Sequence, residues 1–172
     1  MKLLNCVLYL VLTALIGFLA GRIIPKKWLN PYAGIFCSFK FEQDGKLYEK
    51  LGIRKWQKRV PDMSRIFPSL MPPKNLSGHY EARLPLMIEE TCMAEATHIV
   101  MSFVGLGCIW ICPGFGGILL TLIDILLFNL PFILIQRYNR PRLIRLHQKH
   151  LHKQKRNDYA CTDPQLRHRR RP

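Results

Sequence analysis

The residues best suited to chemistry lie in Glu90-Thr91-Cys92-Met93-Ala94-Glu95-Ala96-Thr97-His98-Ile99-Val100-Met101-Ser102. Thr91, Glu95, His98 and Ser102 are spaced 4, 3 and 4 apart, which places them on one face of a helix. A polar stripe entering an apolar segment is costly unless it is satisfied, so its ionisable members are functional candidates. A Glu three residues before a His can bond the imidazole, fix its tautomer and raise its basicity, as a general base requires. His98 and Glu95 are therefore the candidate catalytic pair. Two other readings compete. Glu-x-x-His is half of a di-iron motif, but the chain has no second copy, and the pair could simply anchor a helix at a membrane boundary.

A second group runs from Asn129 through Pro131 to Gln136-Arg137-Tyr138-Asn139-Arg140-Pro141-Arg142-Leu143. The planar fork of arginine suits phosphates, whether of lipid headgroups, coenzyme A or a carrier protein's phosphopantetheine. Generic anchoring at a membrane surface explains the charges but not the Gln136, Tyr138 and Asn139 among them. A third group, Glu42-Gln-Asp-Gly45-Lys46-Leu-Tyr48 followed by Arg54-Lys55-Trp56, is weak by spacing alone. The six cysteines, at 6, 37, 92, 108, 112 and 161, form no CxxC and lack paired histidines, so free thiols and no metal site are expected. No Ser or Cys sits in an elbow motif, which disfavours a covalent acyl-enzyme.

The elements that must position these residues follow from the apolar runs. Leu3 to Ala20 is uncharged and long enough to cross a bilayer; without a convincing cleavage site it reads as a signal anchor over 1–21. Residues 22–96 form a basic cytoplasmic or interfacial region opening with Arg22, Lys26, Lys27 and Trp28. Within it, Ser38-Phe-Lys-Phe-Glu42 alternates like a short strand ending at Asp44-Gly45. Lys46 to Val60 reads as a helix able to lie flat in the interface, and Pro61 to Pro73 as loop. A helix beginning at Met87 leads into Ile99–Ile111, a break at Cys112-Pro-Gly-Phe-Gly-Gly117, and a second apolar arm, Ile118–Ile135. The expected organisation is a transmembrane helical hairpin over 97–136, a basic juxtamembrane helix over 137–156 and a disordered basic tail over 157–172. The fold class is mainly α, an integral membrane protein.

The formal net charge of +15 admits nucleic acid, anionic lipid or a phosphorylated substrate as partner. No zinc finger, RNP-type motif or helix-turn-helix signal supports nucleic acid, and hydrophobic spans are foreign to most nucleic-acid binders, which favours the lipid surface. Of the 26 Lys and Arg, 13 lie in residues 21–96 and 12 from Arg137 onward, with only Lys2 elsewhere. The positive-inside rule then sets three crossings, with the N-terminus and hairpin tip outside and both basic regions in the cytoplasm. Oligomeric state is not readable.

Gln136-Arg-Tyr-Asn-Arg-Pro-Arg-Leu143, preceded by Asn129 and Pro131, resembles the C-terminal signature of the glycosyl-4,4'-diaponeurosporenoate acyltransferase family. The resemblance extends to Ser38-x-Phe-x-Phe-Glu42-x-x-Gly45-Lys46, to Arg54-Lys55-Trp56 and to Glu90-Thr-x-x-Ala-Glu95-x-x-His98, covering roughly residues 22–145 in the family's order. It implies transfer of a fatty acyl chain to a sugar hydroxyl of a glycosylated C30 carotenoid, late in staphyloxanthin synthesis. The donor would be an acyl thioester of coenzyme A or acyl carrier protein, used as co-substrate with no bound cofactor. The acceptor would be lipid-linked. His98, oriented by Glu95, would take the hydroxyl proton, and the oxygen would attack the thioester. Arg137, Arg140 and Arg142 would hold the donor's phosphates or stabilise developing negative charge, with Tyr138, Asn139, Arg54, Lys55 and Trp56 as further substrate contacts. The competing class is a non-enzymatic membrane adaptor that recruits anionic lipid or an acidic partner through its basic face.

Overall fold

The computed structural model describes residues 1–60 and 80–162. The expected loop at Pro61–Pro73 and the tail beyond Thr162 lie outside the described residues. The protein is mainly helical, and no strand occurs among the described residues.

Helix α1 (Lys2–Ile23) carries no charge between Lys2 and Arg22, and its Leu4, Val11, Leu12 and Ile16 are all more than half exposed. Such a surface is unfavourable in water and ordinary in lipid. Two more helical stretches, Glu81–Ile111 and Phe115–Asn157, are also long and apolar enough to cross a membrane. The first contains α4 (Leu84–Gly105), with Pro85 in its first turn where no donor is lost, and the short α5 (Cys108–Ile111). The second contains α6 (Phe115–Ile123), a π-helical turn (Asp124–Asn129) and α7 (Leu130–Thr162).

The two stretches form an antiparallel hairpin whose tip turns at Gly114, where φ is +103°. A Cβ at Gly117 would lie 2.1 Å from the Cys112 carbonyl oxygen, so the first turn of α6 closes on the tip only with glycine there. Helix α1 runs antiparallel to α4. Its Gly17 and Gly21 approach Met101, Thr97 and Met93, a small-residue contact of the kind that lets helices pack within lipid. Farther toward the tip, the Tyr9 hydroxyl donates to the Val104 carbonyl at 2.7 Å and the Cys6 thiol to the Cys108 carbonyl at 3.4 Å. The start of α1 and the hairpin tip thus share one end of the bundle. The polar segment after α1 gathers at the other, where Lys26 pairs with Glu90 at 2.8 Å.

Between the helices the chain departs from the sequence pattern in two places. The alternating Ser38–Glu42 is no strand. It leads into a 3-10 turn, Lys40–Gly45, in which Gln43 and Asp44 have φ of +48° and +53°. A strand needs a neighbour for its ladder; here the Glu42 carboxylate accepts the Phe39 N–H at 2.8 Å instead and closes a local turn. The expected helix at Lys46–Val60 is broken into α2 (Lys46–Lys50), α3 (Ile53–Trp56) and a 3-10 turn, Gln57–Arg59. Gly52, at φ +69°, makes the break. The helix foreseen from Met87 begins three residues earlier, and α7 continues past Asn157 to Thr162, into the start of the expected disordered tail.

Candidate active site

Two polar clusters, stacked along the contact between α4 and α7, contain most of the residues singled out above.

The outer cluster is built on two carboxylates. Glu95 is 1% exposed, yet it is fully paired: Arg137 Nη1 donates to Oε1 at 2.6 Å, and Arg140 Nη2 donates to Oε2. Arg137 turns its Nε and Nη2 to Glu42, with Nη2–Oε2 at 3.1 Å, while Tyr48 donates its hydroxyl to the same carboxylate. The guanidinium edges left over hold the segment after α1. Arg137 donates to the carbonyls of Ile35 at 2.8 Å and Cys37 at 3.1 Å, and Arg140 to Phe36 at 2.8 Å. Arg140 Nε and Nη2 also bind the Thr91 hydroxyl (2.9 Å) and carbonyl (3.0 Å). Phe39 and Phe36 lie against the two guanidinium planes at 4.5 and 5.3 Å. Burial pushes the Glu42 carboxyl up, but Arg137, Tyr48 and the Phe39 N–H outweigh it and hold it below the usual carboxylate range. Burial and the neighbouring Glu42 push the Tyr48 hydroxyl up to about 12, so it stays a donor at any physiological pH.

Tyr138, fully buried, continues the cluster. Its hydroxyl is bonded by Arg54 Nε at 2.9 Å and Arg142 Nη1 at 2.7 Å, and donates to Glu49 at 3.2 Å. The Arg54 guanidinium beside Glu49 holds that carboxyl below its usual range. Gly45, at φ +98°, turns the chain where the Tyr138 ring packs, with 3.4 Å between that ring and the place of a Cβ. Trp56 packs, half-buried, against the Tyr48–Ile53–Tyr138 core, and its indole N–H reaches the Leu51 carbonyl at 3.3 Å. Lys55 is exposed and Asn139 half-buried.

The inner cluster holds the imidazole. Glu95 does not orient His98, contrary to the expectation from their spacing. The i, i+3 relation brings the side chains to one face, but two guanidinium partners claim the carboxylate. His98 Nδ1 instead meets Asn129 Oδ1 at 3.0 Å, and its ring stacks on Phe132 with centroids 4.6 Å apart. Asn129 Nδ2 donates to Asp124, to the carbonyl at 3.1 Å and to Oδ2 at 2.9 Å. Because the amide nitrogen is committed to Asp124, its oxygen faces the imidazole. Nδ1 therefore carries the hydrogen, leaving the lone pair on Nε2.

Asp124 was not singled out from the sequence, and Asn129 stood there at the head of the second group, with no link to His98. Positions five apart diverge on an α-helix. In a π turn, whose hydrogen bonds run from i to i+5, they stack. Gly105 completes the fit, since a Cβ there would lie 2.6 Å from Asp124 Oδ2. Asp124 and Asn129, five apart in an arm whose one other polar residue is Thr121, were the available signal.

Four separated blocks of sequence, around Glu42, Arg54, Glu95 and Arg137, thus meet at one end of the bundle. Residues 25–149 match the family described as glycosyl-4,4'-diaponeurosporenoate acyltransferase. The chain belongs to this family. Relatives of that name from Staphylococcus aureus strains N315 and USA300 are each 31% identical over 149 residues, covering 82% of this chain and 85% of theirs. No solved structure matches. The matched stretch includes every residue of both clusters, so the ion-paired frame and the imidazole relay both fall within the acyltransferase family's region.

Proposed function

We propose that the protein is a membrane acyltransferase that moves a fatty acyl chain from a thioester, of coenzyme A or acyl carrier protein, to a sugar hydroxyl on a lipid-linked acceptor such as a glycosylated carotenoid. The His98–Asn129–Asp124 chain carries this reading: it holds an imidazole in one tautomer between two apolar helices. Membership of a family whose named relatives are acyltransferases supplies the reaction class.

His98 lies eight residues beyond Glu90, about 12 Å along α4 from the Lys26–Glu90 pair that marks the polar end. An acceptor whose apolar chain lies among the helices would bring its sugar to this depth. His98 Nε2 takes the hydroxyl proton as the oxygen attacks the thioester carbonyl carbon. The C–S bond breaks, and the imidazolium returns the proton to the departing thiolate. Asn129 and Asp124 stabilise the imidazolium by holding its Nδ1–H. Arg137 and Arg140, fully engaged with Glu42, Glu95, Thr91 and carbonyls, serve as frame for this site rather than as contacts of the substrate.

The test is acyl transfer per mole of membrane-inserted protein. His98→Ala is expected to lose about 100- to 10,000-fold in rate while accumulating normally, as loss of a general base does. Asp124→Ala should lose less than His98→Ala and more than Asp124→Asn, which can still accept from the Asn129 amide. Normal specific activity in His98→Ala would end this reading.

A further inference from the structure

A cavity of about 470 Å³ opens between the Lys40–Gly45 turn, α2 and α7, lined by Gln43, Asp44, Lys46, Glu49, Arg142 and Arg145. Its volume is within the usual range for a small-molecule site. Its cations differ from those of the buried frame. Arg137 and Arg140 have every guanidinium nitrogen committed to carboxylates, carbonyls or the Thr91 hydroxyl. Arg142 spends one Nη on Tyr138, at 2.7 Å, and lies against that ring. Among the described residues, Arg145 makes only long contacts, with Asp44, at 3.4 Å to the carbonyl and 3.8 Å to the carboxylate, and it is half exposed. Lys46 is exposed. Of the two acids on the wall, Glu49 is already neutralised by Arg54. Lys149, Lys153, Lys155 and Arg156 follow on α7 and add to the positive field of that helix.

We infer that this cleft takes the phosphate-bearing end of a phosphopantetheine thioester, the donor in the acyl transfer proposed above, on which this inference rests. Reach decides the class of donor. Arg142 and Arg145 stand thirteen and sixteen residues beyond Asn129 in the same continuous helical stretch, a rise of roughly 20 to 24 Å. A ligand whose anion sits at Lys46, Arg142 and Arg145 delivers its acyl group to His98 only through a long arm. Phosphopantetheine supplies phosphate and thioester at opposite ends of such an arm. An acyl phosphate, with its anion adjacent to the reacting carbonyl, does not.

Both coenzyme A and a carrier protein present this arm, so each is tested on the full-length protein in phosphatidylcholine nanodiscs. Coenzyme A and holo acyl carrier protein are titrated separately, with binding read directly. The Lys46→Gln/Arg145→Gln double variant changes two exposed side chains, and its melting temperature verifies the fold. At least one probe should bind saturably, at least tenfold more weakly to the double variant and unchanged to His98→Ala. The arm that responds names the donor's carrier. In transfer assays the double variant should raise KM for that thioester at least tenfold, with kcat falling far less. Pantetheine lacking the phosphate should bind wild type and double variant alike. Binding of each probe with the same affinity by wild type and double variant, or binding that appears only with phosphatidylglycerol in the bilayer, would overturn the inference while leaving the transferase reading intact. Wild-type protein that binds a probe but transfers no acyl group would overturn the transferase reading and, with it, the donor role of the cleft.

Discussion

Glu42 and Glu95 hold their places because each finds more donors in the folded chain than burial takes away. Glu42 collects the Phe39 N–H, the Tyr48 hydroxyl and two edges of Arg137. Its carboxyl is held below the usual range near 4.5 despite burial, which links stability to pH. A depressed carboxylate pKa contributes stability above the unfolded value, and that stability is lost as pH falls through the folded value. The melting temperature of detergent-solubilised protein should therefore fall as pH drops below about 4.5. Glu42→Gln should cost about 3 kcal/mol at neutral pH, as removal of one partner from a buried ion pair does, and should flatten the acid limb. An acid limb of unchanged slope in Glu42→Gln would assign it to other groups. At this scale the sequence was half informative. Residue type and helix face marked Glu95, His98, Arg137 and Arg140 as exceptional, because charged groups flanking apolar runs need partners. Which partner each takes was not legible, since it depends on how α7 and the Ile35–Cys37 segment lie against α4.

The helices themselves were the most legible feature, because long uncharged apolar runs have few alternatives. The break at Cys112–Gly117 was equally plain from Pro113 and its three glycines. What misled was short-range alternation at Ser38–Glu42, which imitates a strand when the Glu42 carboxylate is in fact bending the chain. The π turn was hidden for a related reason: hydrophobic residues surround Asp124 and Asn129, so no periodicity betrays the extra residue in the turn. Glycine positions separate tolerant from intolerant contacts between elements. A Cβ at Gly17 would meet the Met101 sulfur at 2.7 Å, the movable end of a flexible side chain, whereas one at Gly117 would meet the Cys112 and Cys108 carbonyl oxygens at 2.1 and 2.8 Å. Gly117→Ala should therefore open the hairpin tip and sharply reduce membrane accumulation, while Gly17→Ala should accumulate nearly as wild type. Equal levels of the two variants would show that the tip closes without the tight turn.

The whole molecule is polarised along its helices. Leu3 lies against Gly116 at one end, where a Cβ on that glycine would stand 3.0 Å from the leucine side chain. Glu42, Glu95, Arg137 and the cationic α7 lie toward the other. This places the start of α1 and the hairpin tip together, as an odd number of crossings requires, without saying which face of a membrane either end meets. Charge supplies the direction. With 25 of 26 Lys and Arg in the two polar sequence regions and Lys2 elsewhere in the sequence, the positive-inside rule predicts that the polar end faces the cytoplasm. Thioester donors of the kind proposed here are made in that compartment, so the same orientation would present the Lys46–Arg142–Arg145 cleft to its substrate. The expectation is direct. Phe115 at the tip is 80% exposed, and Lys149 on α7 is also exposed. A membrane-impermeant maleimide applied to intact cells should label Phe115→Cys above the background of the parent chain and should spare Lys149→Cys until the cells are opened. The reverse pattern would invert the orientation and detach the cleft from a cytoplasmic donor. Labelling of both positions in sealed cells would mean that the second arm of the hairpin does not cross.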